Sequence, residues 1–333
     1  MFWKGPLFTE KGFVDICINL ETCEFVDSDK EEDGILVPLF RNCHSHLGDT
    51  EARGSVPANI TLAELVGPGG WKHEWLKNNN IEKSILEGLK EATYSGTGLI
   101  MDFREGGKEG LDAFEAHDYL GTSILLGRPL GDESLPGKHA GISSLTDVGP
   151  LASKLSEQAR KKNGIVGIHH SENEREDIES LIELNPDFVV HMCHATDEDL
   201  LALKEANISV VVCPRSNDYF GNRPPLEKMI DIGLDLGLGT DNGMICSVNI
   251  LDEIRFIKEN FPSIGLREIL EIACFGLSDI FNKDGTSRYF NPELSGWALL
   301  SREAVDNYES IFNPDTKVSV SYTHLTLPTS DLV

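Results

Sequence analysis

One pattern constrains this chain more than any other. Between residues 35 and 262, eight short apolar runs alternate with longer segments of helical periodicity. The runs are Ile35–Phe40, Leu99–Phe103, Thr122–Leu126, Ala140–Leu145, Ile165–His170, Phe188–Cys193, Ile208–Cys213 and Leu234–Asp241. They are rich in Val, Ile and Leu and mostly close on a polar residue or Gly, as strands buried on both faces do. Amphipathic segments lie between them, among them Ile81–Ser95, Pro150–Lys162 and Asp197–Glu205. Eight strand–helix units predict an α/β fold, a closed (β/α)8 TIM barrel. An open doubly wound sheet would share the alternation, but no G-x-G-x-x-G follows an early strand.

The flanks read differently. Phe13–Leu20 and Cys23–Val26 are short strand-like runs before an acidic turn at Asp27–Asp33, and they predict part of a small β layer. The expected division is 1–34 for the N-terminal part of that layer, 35–282 for the barrel, and 283–318 for an extension returning to a truncated β-sandwich layer. Residues 319–333 resemble the translation of a sequencing adapter; they are read as an artefact and set aside, His324 with them.

Charge narrows the partners. Asp and Glu number 55 against 29 Lys and Arg, a formal net charge of −26. Such a chain repels phosphate backbones and anionic lipid surfaces, so nucleic acid and membrane are excluded as partners. No apolar run reaches the ~18 residues of a membrane span, and the start is not that of a signal peptide. Seven cysteines without a C-x-x-C pair predict reduced thiols, hence a cytoplasmic protein. A homo-oligomer is compatible with all of this.

Chemistry in such a barrel sits where the strands end. The first run is followed by His44-Ser45-His46, the fifth ends His169-His170-Ser171-Glu172, the sixth His191-Met192-Cys193-His194, and the eighth Thr240-Asp241-Asn242. Residues two apart on an extended chain share a side, so His44 and His46 can reach one ion together. Three imidazoles and a carboxylate form a borderline N/O donor set suited to Zn²⁺ first and Fe²⁺ second. For one residue alone, a satisfied buried His or a capping Asp is the better reading; four at matching strand ends reverse it.

These stretches, from Leu36 to about Phe281, resemble the amidohydrolase superfamily, within its cytosine/adenosine-deaminase-like group. His44-Ser45-His46 is similar to the family's H-x-H, His169-His170-Ser171-Glu172 to its H-x-x-E, and His191-Met192-Cys193-His194 to its H-x-x-H. Cys213-Pro214-Arg215-Ser216-Asn217 resembles its C-P-x-S-N segment, and Gly239-Thr240-Asp241 its G-T-D. The resemblance implies His44, His46, His169 and Asp241 as metal ligands, with Glu172, His191 and Asp241 as catalytic groups. No Lys stands near the end of the fourth run to be carbamylated, which argues for a single ion.

The expected reaction is hydrolytic deamination of a nucleobase, nucleoside or related N-heterocycle, with Glu172 as proton shuttle. Cleavage of another C–N bond or of C–Cl is the enzymatic alternative, and a non-catalytic metal-binding scaffold the third reading. Arg104 and Arg128, after the second and third runs, are candidate substrate clamps. Trp71 and Trp75 either stack on a ring or pack the first loop, the latter being favoured. His170 and His194 read as supporting residues.

Overall fold

The computed structural model describes residues 2–19, 34–131, 134–284, 296–300 and 318–321 of the chain. The expected strand Cys23–Val26, the acidic turn, most of the 283–318 extension and the tail from 322 lie outside them. The described residues form two sheets. In chain order the strands are β1 (Phe2–Thr9), β2 (Gly12–Asn19), β3 (Ile35–Pro38), β4 (Phe40–His46), β5 (Thr97–Arg104), β6 (Thr122–Gly127) and β7 (His139–Ile142). Then follow β8 (Val166–His170), β9 (Phe188–His191), β10 (Ser209–Val212), β11 (Leu236–Leu238), β12 (Asp241–Asn242), β13 (Trp297–Leu300) and β14 (Val318–Ser321).

The larger sheet has nine parallel-paired strands in the order β11-β10-β9-β8-β7-β6-β5-β4-β12. Its two edges are consecutive pieces of one segment, separated only by Gly239 and Thr240, so the curled sheet turns back on itself in TIM-like fashion. The eighth apolar run is therefore two short strands, the first paired with β10 and the second with β4. Asn42 secures the break: its amide donates to Thr240 Oγ1 at 2.8 Å and accepts from Thr240 N at 3.1 Å.

Inside the ring, Leu99, Met101 and Phe103 of β5 pack with Phe188, Val190, Val211 and Cys213. Outside it, Ile142, Val166, Ile168 and Val189 pack with helical Leu155, Leu181 and Leu200. Both faces of these strands are buried, which is why they read as continuous apolar runs.

The smaller sheet, β14-β13-β3-β1-β2, draws on both flanks of the barrel. It corrects the first boundary. Ile35–Pro38 pairs with β1 and β13 rather than joining the barrel, and the barrel strand starts at Phe40. The apolar run thus spans two strands, parted at Leu39 after Pro38. Backbone pairing asks little of side-chain identity, and β14 takes in Ser319, Val320 and Ser321, the start of the segment read as adapter-derived. Among the described residues, no helix is long and apolar enough to cross a membrane, and Cys17, Cys43, Cys193, Cys213, Cys246 and Cys274 carry free thiols.

Candidate metal centre and active site

His44 and His46 lie within β4, not after it. A register shift between Asn42 and Ser45 marks a bulge in β4 against β5. One extra residue lets Cys43 join the interior apolar cluster while both imidazoles still point into the ring. Phe103 packs edge-on to His44 and His169, with centroids 4.5 and 4.9 Å away, and forms the apolar floor.

The strand ends that deliver the other groups are bent. Ser171, His191, Met192 and Asp241 all have positive φ, between 50° and 80°. Asn apart, Leu277 alone of the other described non-glycine residues shares this conformation. Left-handed backbone costs about 1–3 kcal/mol per residue and persists where the surroundings over-determine it, as at sites that must aim a side chain.

His44, His46, His169 and Asp241 each bring one donor atom to a common point, all within 4.8 Å of one another. Asp241 Oδ1 lies 3.1 Å from His44 Nε2 and 3.6 Å from His46 Nε2. Burial lowers the pKa of His44, brings His46 down to about 3, and with the neighbouring imidazoles holds His169 well below its ordinary value. All three shifts favour the neutral ring that ligation requires. Glu105 Oε1 accepts the Nδ1–H of His46 at 2.7 Å, and the Ile142 carbonyl accepts that of His169 at 2.9 Å. Both Nε2 lone pairs are left to face the cluster. Burial opposes the charge of Asp241, but its hydrogen bond to His44 and the other imidazoles outweigh burial and hold the carboxyl well below its usual range. This donor set fits one divalent cation.

Glu172 and His191 stand beside it. His191 Nε2 is 3.5 Å from Glu172 Oε2, and the pair forms a second tight group with Asp241. Burial pushes the Glu172 carboxyl up to about 7, partly offset by His191. A carboxyl poised there can give and take a proton at neutral pH. His46, His169, Glu172, His191 and Asp241 line a cavity of about 300 Å³ together with Leu62, Val66 and Pro68 from the segment after β4.

Several outer residues fall differently from expectation. Arg128 lines the cavity, held by Ser143 Oγ and by Glu105 at 3.4 Å. Arg104 does not line it and cannot act as a clamp. Its guanidinium is fully buried between Asp102 (3.5 Å) and Glu105 (2.8 Å), on the far side of β5 from Phe103. Gly48 leaves room for it, since a Cβ there would come within 2.2 Å of the guanidinium. Trp71 and Trp75 pack with Ala52, Leu65 and Met244 and do not line the cavity. His170 is buried against Ser171 Oγ, and His194 meets Asn222, whose amide holds the Glu172 carbonyl.

Sequence reasoning missed Lys72, Asp49, Glu105 and Asn242. The buried Lys72 ammonium lies 2.8 Å from Glu105, 3.0 Å from Asp49 and 2.9 Å from Asn242 Oδ1. Nothing in the local pattern marks them, because their partners come from distant elements. Ser216 and Asn217 were visible only through the motif that contains them. Ser216 Oγ donates to Asp241 Oδ2 at 2.5 Å, and Asn217 Nδ2 lies 3.0 Å from His191 Nδ1.

The chain is similar to known proteins in sequence and in fold. Residues 151–285 match the Amidohydrolase family. A protein of Archaeoglobus fulgidus named "Putative aminohydrolase" is 33% identical over 76% of this chain and 78% of its own length. A 5-methylthioadenosine/S-adenosylhomocysteine deaminase of Pyrococcus furiosus is 32% identical over 67% of this chain and 62% of its own. In fold, the chain is similar to an adenosine deaminase of Xanthomonas campestris with bound zinc, at TM-score 0.69 and 12% identity, covering 96% of this chain and 91% of that one. With its strand-end histidines, acids and relatives all in accord, the chain belongs to the amidohydrolase family.

Proposed function

We propose that this protein is a hydrolytic deaminase of an N-heterocycle, built as a (β/α)8 barrel with a reduced β-sandwich layer from its flanks. The observation that carries the reading is one cavity lined both by His46, His169 and Asp241 of the four-donor cluster and by the Glu172–His191 pair. His44, His46, His169 and Asp241 would hold one divalent ion, Zn²⁺ before Fe²⁺. Such an ion supplies Lewis acidity that brings a water's pKa from about 16 to about 7.

The protein's own groups do the rest. The Asp241 carboxylate orients the attacking water and takes its proton. Glu172 hands its proton to the ring nitrogen, takes up the hydroxyl proton of the adduct and passes it to the departing amine, so the carbonyl forms and ammonia leaves as a neutral molecule; the proton held by Asp241 then restores Glu172. His191 hydrogen-bonds the oxyanion side as charge develops there. Arg128 and the polar outer wall orient the remainder of the substrate. Relatives whose names specify methylthioadenosine or 5'-deoxyadenosine as substrate favour a nucleoside or its base.

An ammonia-release screen of purified protein against purines, nucleosides, pyrimidines and pterins tests this. Glu172→Gln should keep its ion and lose turnover by about 10²–10⁴-fold. Near-normal turnover in that variant sinks the assignment, and release of another product from the cleaved bond redirects it.

A further inference from the structure

The imidazoles of the site are not held alike, and the difference lies at Nδ1. His46 and His169 offer that atom to a carboxylate and a carbonyl, groups that only accept. Each ring therefore keeps its proton on Nδ1 and a lone pair on Nε2. His191 meets the opposite partner. The atom 3.0 Å from its Nδ1 is the side-chain nitrogen of Asn217, which only donates. The lone pair of His191 must then sit on Nδ1 and its proton on Nε2, 3.5 Å from Glu172 Oε2.

Asn217 is fully buried on the short helix Pro214–Tyr219, and His191 is only 1% exposed, so solvent has little access to either group. Turning the amide over would place its oxygen on Nδ1 and move the proton there. Nε2 would then face Glu172 as a bare lone pair, which opposes the ionised carboxylate acceptor to acceptor and ties up the carboxyl's proton in its protonated form.

We propose that Asn217 is a positioning residue that selects the Nε2–H tautomer of His191, opposite to that of His46 and His169. The inference rests on the deaminase reading, in which His191 serves the reacting centre. It has two chemical consequences. A protonated Nε2 can donate to negative charge developing on the substrate, which a lone pair would repel. It also keeps His191 out of the coordination sphere, although its ring reaches the same cluster as Glu172 and Asp241. The same ring with a bare Nε2 would be one more nitrogen ligand competing with the intended four.

The test reads the tautomer directly. In a long-range ¹H–¹⁵N spectrum of the zinc-loaded, ¹⁵N-labelled protein, His191 is assigned by the peaks lost in His191→Gln. We expect a protonated-type shift at Nε2 and an unprotonated one at Nδ1. Asn217→Asp preserves shape but presents only acceptors, so Nδ1 should gain a proton while zinc content stays at one equivalent. Turnover should fall by about 10²–10⁴-fold, the range for losing a correctly protonated acid–base group. A proton on Nδ1 in the unsubstituted protein overturns the inference, as does undiminished turnover in Asn217→Asp. Should no heterocycle release ammonia, the functional reading fails while the spectrum still decides the tautomer. Should Asn217→Asp not fold, the spectrum of the unsubstituted protein decides alone.

Discussion

Lys72 carries the strongest energetic argument in the site. Its ammonium is nearly excluded from solvent, yet it meets three acceptors on three elements: Asp49, Glu105 and Asn242. Glu105 in turn holds His46, and the Asn242 amide nitrogen donates to Asp241 Oδ1 at 3.1 Å. One cation on the helix Trp71–Asn78 therefore braces two of the four cluster donors through Glu105 and Asn242. Lys72→Met would take the cation from the buried Asp49, while Glu105 keeps Arg104 and Arg128, and breaking a buried pair in this way costs about 3–5 kcal/mol. Urea unfolding should show that loss as a lowered midpoint at unchanged slope; a loss under about 1 kcal/mol would mean that Asp49 finds another partner. None of this was legible in the sequence. A lysine between Trp71 and His73 on a short helix reads as a surface residue, and its partners lie 23, 33 and 170 positions away. His44, His46, His169, Glu172, His191 and Asp241 were legible because each occupies a strand end, where the fold itself concentrates function.

Elements were readable in proportion to how uniformly they are buried. The runs that became β5 to β10 are mostly apolar and, β6 apart, almost wholly buried, and they matched strands within a few residues. The first and eighth runs misled for the same reason, since each holds parts of two strands: β3 and the start of β4 in one, β11 and the start of β12 around Gly239 and Thr240 in the other. Hydrophobicity does not record a change of sheet or a kink that depends on Asn42. The helix Ile250–Asn260 hides another such dependence. Its Glu253 is fully buried beneath the Pro214–Tyr219 helix, accepting from Arg215 N at 3.1 Å and facing the guanidinium at 3.3 Å. Burial still prevails over Arg215 and raises the carboxyl from 4.5 to about 7. The folded state then binds this proton more tightly than the unfolded one. Stability falls as pH rises from about 4.5 to about 7, is lowest above that window, and carries no penalty below it. Glu253→Gln should accordingly melt higher than the unsubstituted protein at pH 8, with the gain shrinking toward pH 4.5, where Glu253 is itself neutral. A loss at pH 8 would mean that the Arg215 ion pair outweighs desolvation.

Across the whole molecule, the proposed ion would link parts of the chain that are far apart in sequence. Its donors come from β4, β8 and β12, so the cluster spans residues 44 to 241 and exists only when the ring is closed. An unfolded chain offers no such convergence, and binding energy becomes folding energy. For an ion that binds only the folded state, stability grows as RT ln(1 + [L]/Kd), about 1.4 kcal/mol for each tenfold rise in free ion beyond Kd. In a chain of this size that corresponds to roughly 2–3 °C in Tm per decade. The net charge of −26 complicates the measurement, because an acidic surface gathers divalent cations of any kind. Ligand chemistry separates the two effects: surface carboxylates favour Ca²⁺ and Mg²⁺, whereas imidazoles favour Zn²⁺ and Fe²⁺. Chelated protein should therefore melt lowest, climb steadily with the logarithm of free Zn²⁺, and respond far less to Mg²⁺ at the same ionic strength. His169→Asn should flatten the Zn²⁺ response without changing the Mg²⁺ one. Equal climbs with both ions, or a Zn²⁺ climb that survives His169→Asn, would place the binding on the acidic surface and not in the ring.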